Sequence, residues 1–222
     1  MRLFVPLLGL LSAFAAADPA ADLAAANAAL ADKRNPVAAR LYEQAVSADP
    51  ALLGRAWGWA MAHYGVGDLP AALAVAERVL AAHPGHERAR YVRGLVRFRQ
   101  GELGAARADL AAVVDARPKD IRARFRLGQV LHALGQSAEA ATMLRSVLSL
   151  RWIHQPARHA LALTLRDSGD TKGAERALDE LRRIEPLVPR IRTAERVVRM
   201  KPGDGAAKEQ LRTLYGQAGR PP

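Results

Sequence analysis

The chain has 222 residues, half of them hydrophobic but only 5% aromatic, with 33 Lys and Arg against 22 Asp and Glu, a formal net charge of +11. It has no cysteine, which excludes disulfides, thiolate metal sites and cysteine nucleophiles. Alanine and leucine favour helices and the strand formers are scarce, so the composition predicts an all-α protein.

Arg2, the apolar run Leu3 to Phe14 and the small residues Ala15, Ala16 and Ala17 have the layout of a secretory signal peptide over 1–17, cleaved before Asp18. The run falls short of the roughly 20 apolar residues that span a bilayer, and an uncleaved anchor is the alternative. The expected destination is the periplasm or the exterior. In the cytosol a basic chain would suggest nucleic acid; for an exported one, acidic peptides and anionic polysaccharides are the fitting partners.

From there the chain keeps a 34-residue period. Pro50, Pro84 and Pro118 are one period apart, and Pro186 falls two periods later. Ala38, Ala72, Ala106, Ala140 and Ala174 share the beat, as do Gly67, Gly101, Gly135 and Gly169. A fixed period of this length marks stacked supersecondary units. Each period reads as two helices: a glycine that tolerates the left-handed cap follows the first, and a proline stops the second. The predicted helices are 53–65 and 69–82, 87–100 and 103–116, 121–134 and 137–150, then 156–168 and 171–184. An earlier period, 19–50, is weaker because Lys33, Arg34 and Asn35 replace its glycine turn. Trp152 stands where a closing proline is due. Beyond Pro186 the period is lost. Two helices, 188–200 and 204–218, read as a C-terminal cap, with a disordered tail.

These units resemble the tetratricopeptide repeat. The small residues Ala26, Ala60, Gly94, Gly128 and Ala162 stand at the eighth position, and alanine stands at the twentieth in all five repeats. The resemblance implies a right-handed α-solenoid, with a repeat array over 18–186 (repeats about 19–52, 53–86, 87–120, 121–154 and 155–188) and a cap over 187–222. Arg93 replaces the expected leucine and Asp109 lies on the facing helix, an arrangement that the resemblance reads as an interhelical ion pair.

The resemblance also places the ligand groove on the first helix of each repeat. The positions it carries over are Trp57, Met61, Tyr64, Arg88, Tyr91, Leu95, Phe98, Arg122, Phe125, Gln129, His132 and His159, with Arg126 one residue further on. Such a groove is an aromatic ladder edged by arginine, suited to a partner with apolar and acidic groups. The same aromatics suit packing between repeats, and the arginines suit a solvated face. The lysine–asparagine set with which chaperone-binding members clamp a terminal carboxylate is absent: Trp57, Met61, Leu95 and Arg88 occupy its places.

No nucleophile elbow, phosphate loop or metal-ligand spacing is present. His83 and His86 flank a turn without carboxylate or thiolate company, so no metal or cofactor is expected. The basic run Arg190 to Lys201 reads as a solubilising face rather than a membrane contact. The expectation is a non-enzymatic exported adaptor that binds a partner protein or peptide in envelope or secretion assembly. The alternative is a binder of an anionic polysaccharide.

Overall fold

A computed structural model of the chain describes residues 18–219. The predicted signal segment and the tail from Arg220 lie outside the described residues. Within them there are twelve α-helices and no strand, and the chain divides into two compact units between Pro84 and Gly85.

The first unit holds α1 (Pro19–Ala31), α2 (Asn35–Ala48), α3 (Trp57–Val66) and α4 (Leu69–Ala82). One expectation is corrected here. The helix predicted over 53–65 begins only at Trp57, because Pro50–Arg55 forms a 3-10 helix. The Asp49 side chain caps this short turn at the Ala51 N–H, and Gly54 weakens its extension into a longer helix. Tyr42 of α2 is fully buried and its hydroxyl donates to Asn27 Oδ1 of α1 at 2.8 Å. Burial pushes its phenol up to about 12.

The second unit holds α5 (Glu87–Arg99), α6 (Leu103–Ala116), α7 (Ile121–Ala133), α8 (Ser137–Leu150), α9 (Gln155–Asp167), α10 (Thr171–Ile184), α11 (Val188–Met200) and α12 (Gly205–Gln217). Consecutive helices pack as hairpins, α5 on α6, α7 on α8 and α9 on α10, and the second helix of each hairpin packs on the first of the next. Small side chains at the crossings allow close approach. Ala106, Ala123 and Ala140 are fully buried in one cluster with Leu110 and Val130, and Leu144 and Val147 centre the next.

The turns follow the period. Gly67, Gly101, Gly135 and Gly169 all have positive φ, between 75° and 86°, in the left-handed cap that closes each first helix. Lys33 occupies the same register in the first hairpin and is forced to φ 60°. A side chain with a Cβ is strained there. Lys33→Gly is therefore expected to stabilise the chain by about 1 kcal/mol, less what glycine adds to unfolded-state entropy. A rise of a few degrees in the melting midpoint is the check.

Trp152 leaves the turn in place and gives it another function. Its ring meets Tyr215 of α12 edge-on, with centroids 5.4 Å apart, and packs on a cluster formed by Ile153, Ile184, Val188, Ile191 and Leu214. The closing proline has been exchanged for an aromatic that seats the C-terminal helices. A second periodic device escaped the sequence reading. Arg158 is buried, donates to the Trp152 carbonyl at 2.6 Å and pairs with Glu180. One period earlier, Arg124 reaches the Pro118 carbonyl and Ser146 Oγ at 2.8 Å. Each arginine ties a turn to the helix that follows it and to that helix's partner. Burial depresses the Arg158 pKa, against the pull of Glu180.

Candidate functional site

The third repeat carries a charge cluster at its hairpin crossing. Arg93 donates from Nε to Asp109 Oδ2 at 2.9 Å and from a terminal nitrogen to Oδ1 at 2.6 Å, the bidentate fork of arginine on carboxylate. Arg97, one turn along α5, also donates to Oδ2, at 2.8 Å. The Asp109 side chain is only 5% exposed. Sequence reasoning missed Arg97. The signal was there: it stands four residues after Arg93 on the core-facing stripe, where the next repeat has Leu131. This cluster closes the hairpin.

The groove residues of the second unit fall into three groups. Phe98, Phe125, Gln129, His132 and His159 are brought together as walls of one open cavity of about 590 Å³. Leu144 of α8, Leu163 of α9, Leu181 of α10 and Glu185 also line it. The walls thus come from five helices, and the contributions of α8 and α10 were not legible from the first-helix register. Phe98 and Phe125 also pack against the buried clusters, so they both hold the fold and face the cavity. His132 Nε2 lies 3.5 Å from Asp167 Oδ2, and its Nδ1 is buried without a hydrogen-bond partner.

Tyr91, Arg122 and Arg126 form a second group beside it. Tyr91 packs on the hydrophobic cluster. Burial raises its pKa, against the pull of Arg126, which also hydrogen-bonds it, and of Arg122. The Arg122 guanidinium lies 6.0 Å from the Tyr91 ring centroid, and Arg126 lies 5.8 Å from that of Phe125. Arg126 also donates to Gln129 Oε1 at 2.9 Å. Arg88 is exposed on α5.

The third group is a correction. Leu95 is 3% exposed, buried in line with Val92 and Val96, and it offers a ligand no surface. An apolar side chain on the inner stripe of its helix gains more from burial than a groove position would allow.

In the first unit, Trp57, Met61 and Tyr64 share one face of α3 and are half-buried. The neighbouring Trp59 is buried under Arg78, whose guanidinium lies 5.8 Å from its ring centroid.

The loop histidines have a structural task. His86 Nδ1 accepts the Ala89 N–H at 3.1 Å, and His154 Nδ1 accepts that of Ala157 at 3.0 Å. Asp120 and Asp204 cap α7 and α12 at the matching place. A histidine caps only while Nδ1 is unprotonated. Burial holds the His154 pKa below its ordinary value, with Arg151 and Arg192 adding to the depression against a backbone hydrogen bond. Among the described residues no group of three or more His, Asp or Glu side chains is disposed to hold a metal ion, and no helix is long and apolar enough to cross a membrane.

Family profiles described as tetratricopeptide repeat match residues 58–121, 97–151 and 155–180, together more than half of the chain. Solved structures with the same fold include MamA 41-end from Desulfovibrio magneticus RS-1, at 22% identity and a TM-score of 0.67, covering 76% of this chain and 95% of that one. MamA from AMB-1 matches at 23% identity and a TM-score of 0.62, covering 76% and 92%. YrrB, described as a tetratricopeptide repeat protein with an unusual peptide-binding site, matches at 22% identity and a TM-score of 0.63, covering 76% and 87%. At these identities the likeness is one of fold, an all-α solenoid. A comparison with curated proteins returned no match.

Proposed function

The chain belongs to the tetratricopeptide repeat family, and from that premise we propose that it is a non-enzymatic adaptor. Its second unit binds a partner protein or peptide in the groove walled by Phe98, Phe125, Gln129, His132 and His159. The observation that carries this reading is the cavity of about 590 Å³ whose aromatic and polar walls are supplied in register by successive repeats. Aromatic rings with a few convergent polar groups favour an apolar anchor over a charged one. The peptide-binding description of YrrB supports the same ligand class.

The test uses random dodecapeptides displayed on phage and selected on the full chain. A selected peptide should lose about tenfold in affinity for Phe125→Leu/His159→Ala, with the melting midpoint nearly kept, because leucine preserves most of the packing and His159 is exposed. An unchanged affinity in that variant would sink the reading. A binder of an anionic polysaccharide is the second reading, supported by the net charge of +11 and by guanidiniums beside the Tyr91 and Phe125 rings. Binding through arginine alone collapses between low and moderate salt, whereas aromatic anchoring does not.

The adaptor acts outside the cytosol, in envelope or secretion assembly. The layout of residues 1–17 supports export, and the check is N-terminal sequencing of the native protein, which should begin at Asp18.

A further inference from the structure

The groove has a neighbour of opposite character. A cavity of about 780 Å³ opens at the turns that lead into α7 and α9, lined by Arg117, Lys119, Asp120, Arg122, Arg151 and His154, with Pro118 and Ile121. The two cavities share a wall. Phe125 lines the groove, and its ring centroid stands 5.1 Å from that of His154, which lines the turn pocket. A segment seated on Phe125 needs only to pass over His154 to reach the turn.

The charge in the turn pocket is unbalanced. Four cationic side chains face one carboxylate, Asp120, whose Oδ1 accepts the backbone N–H groups of Arg122 and Ala123 at 2.9 and 3.1 Å and lies 3.9 Å from Arg122 Nε, so that it balances one of the four. Glu87 pairs with Arg117 from α5 and draws on one of the four. His154 has its Nδ1 committed to the cap of α9, so in the capped state its ring is neutral and its Nε2 carries the proton as a donor. Arg192 of α11 adds a further positive field at that ring. Like charges gathered at one pocket repel one another and are relieved by an anion.

We propose that the turn pocket seats the carboxylates of an acidic stretch that flanks the apolar segment held in the groove. This rests on the groove reading above, and makes the partner a peptide with an apolar anchor followed by Asp or Glu. A peptide is favoured over a polyanion because the basic turn pocket adjoins a groove with apolar and aromatic walls, which an apolar side chain of the same segment can fill.

The phage selection is repeated on the full chain and on Lys119→Gln/Arg151→Gln, both exposed positions whose exchange leaves the core alone. The wild-type chain should enrich peptides with acidic residues beside the apolar core. The variant should enrich the apolar core without them. A peptide selected on wild type should lose about tenfold in affinity for the variant at low salt, and the gap should close at high salt. Absence of acidic enrichment on wild type, or its survival in the variant, overturns the proposal. The groove reading fails separately, if Phe125→Leu/His159→Ala still selects the same apolar cores. Alginate serves as the polyuronate probe: if it binds wild type and not the variant while no acidic peptide is enriched, the pocket belongs to a polysaccharide and the proposal falls.

Discussion

Asp109→Ala is expected to lower the stability of the chain by about 3 to 4 kcal/mol, read as a fall in the denaturant midpoint with an unchanged slope. The carboxylate is almost enclosed and accepts from both Arg93 and Arg97, whose side chains are 23% exposed. Its removal takes from the hairpin crossing the enclosed carboxylate on which both guanidiniums meet, while Glu102, 3.9 Å from Arg97 Nε, stays at its more exposed position. Most of the expected loss comes from two partly buried guanidiniums losing the carboxylate they share, rather than from the favourable energy of the pairs. The next repeat supplies the control. At the positions of Arg93, Arg97 and Asp109 it has Leu127, Leu131 and Met143, and the two leucines are buried. The triple exchange Arg93→Leu/Arg97→Leu/Asp109→Met should therefore regain wild-type stability or exceed it. If Asp109→Ala costs no more than the triple exchange, the charges are not coupled and this account is wrong.

Leu144→Ala is expected to cost about 3 kcal/mol. Leu144 of α8 is fully buried in the cluster with Val147, Leu161 and Leu165, so its truncation leaves a cavity in addition to the lost transfer energy. Its partner across the hairpin is Gly128 of α7. A Cβ at Gly128 would lie 2.9 Å from both Leu144 Cγ and Cδ2, a contact that real Cβ atoms do not make. Gly128→Ala alone gains about 1 kcal/mol of helix propensity and should still destabilise, by about 1 kcal/mol net, because the Leu144 side chain must give up its packing to make room. In the Leu144→Ala background the added methyl fills part of the cavity. Gly128→Ala should then become stabilising by about 1 kcal/mol. The sign reversal, measured by equilibrium unfolding of the four chains, is the diagnostic result. An equal effect in both backgrounds would mean that the two side chains do not share the space.

Helix boundaries were legible in the sequence to within a residue or two across the second unit, because caps and stops are local. Asp or His before α5, α7 and α9, and glycine after each first helix, act within a few residues of where they stand. The one larger miss, the 3-10 helix Pro50–Arg55 before α3, is also local. A proline and a glycine inside an apolar run hid a tighter turn.

The groove was only half legible. The first-helix register marked Phe98, Phe125, Gln129, His132 and His159. It could not supply Leu181 or Glu185, which the return helix and the turn after it bring to the same wall. It also named Leu95, because a periodic rule treats every repeat alike and burial does not.

By itself, then, the sequence determined the 34-residue repeat, the helical hairpins and the left-handed glycine turns. Each of these rests on spacing along one chain and on backbone preferences at single residues. Only the tertiary structure decided that Arg97 joins Arg93 on Asp109, that Trp152 seats the C-terminal helices, and that an aromatic groove shares its wall with a basic turn pocket. Burial, pairing and shared walls depend on side chains from different helices meeting in space. Their energies come from neighbours that no single period contains.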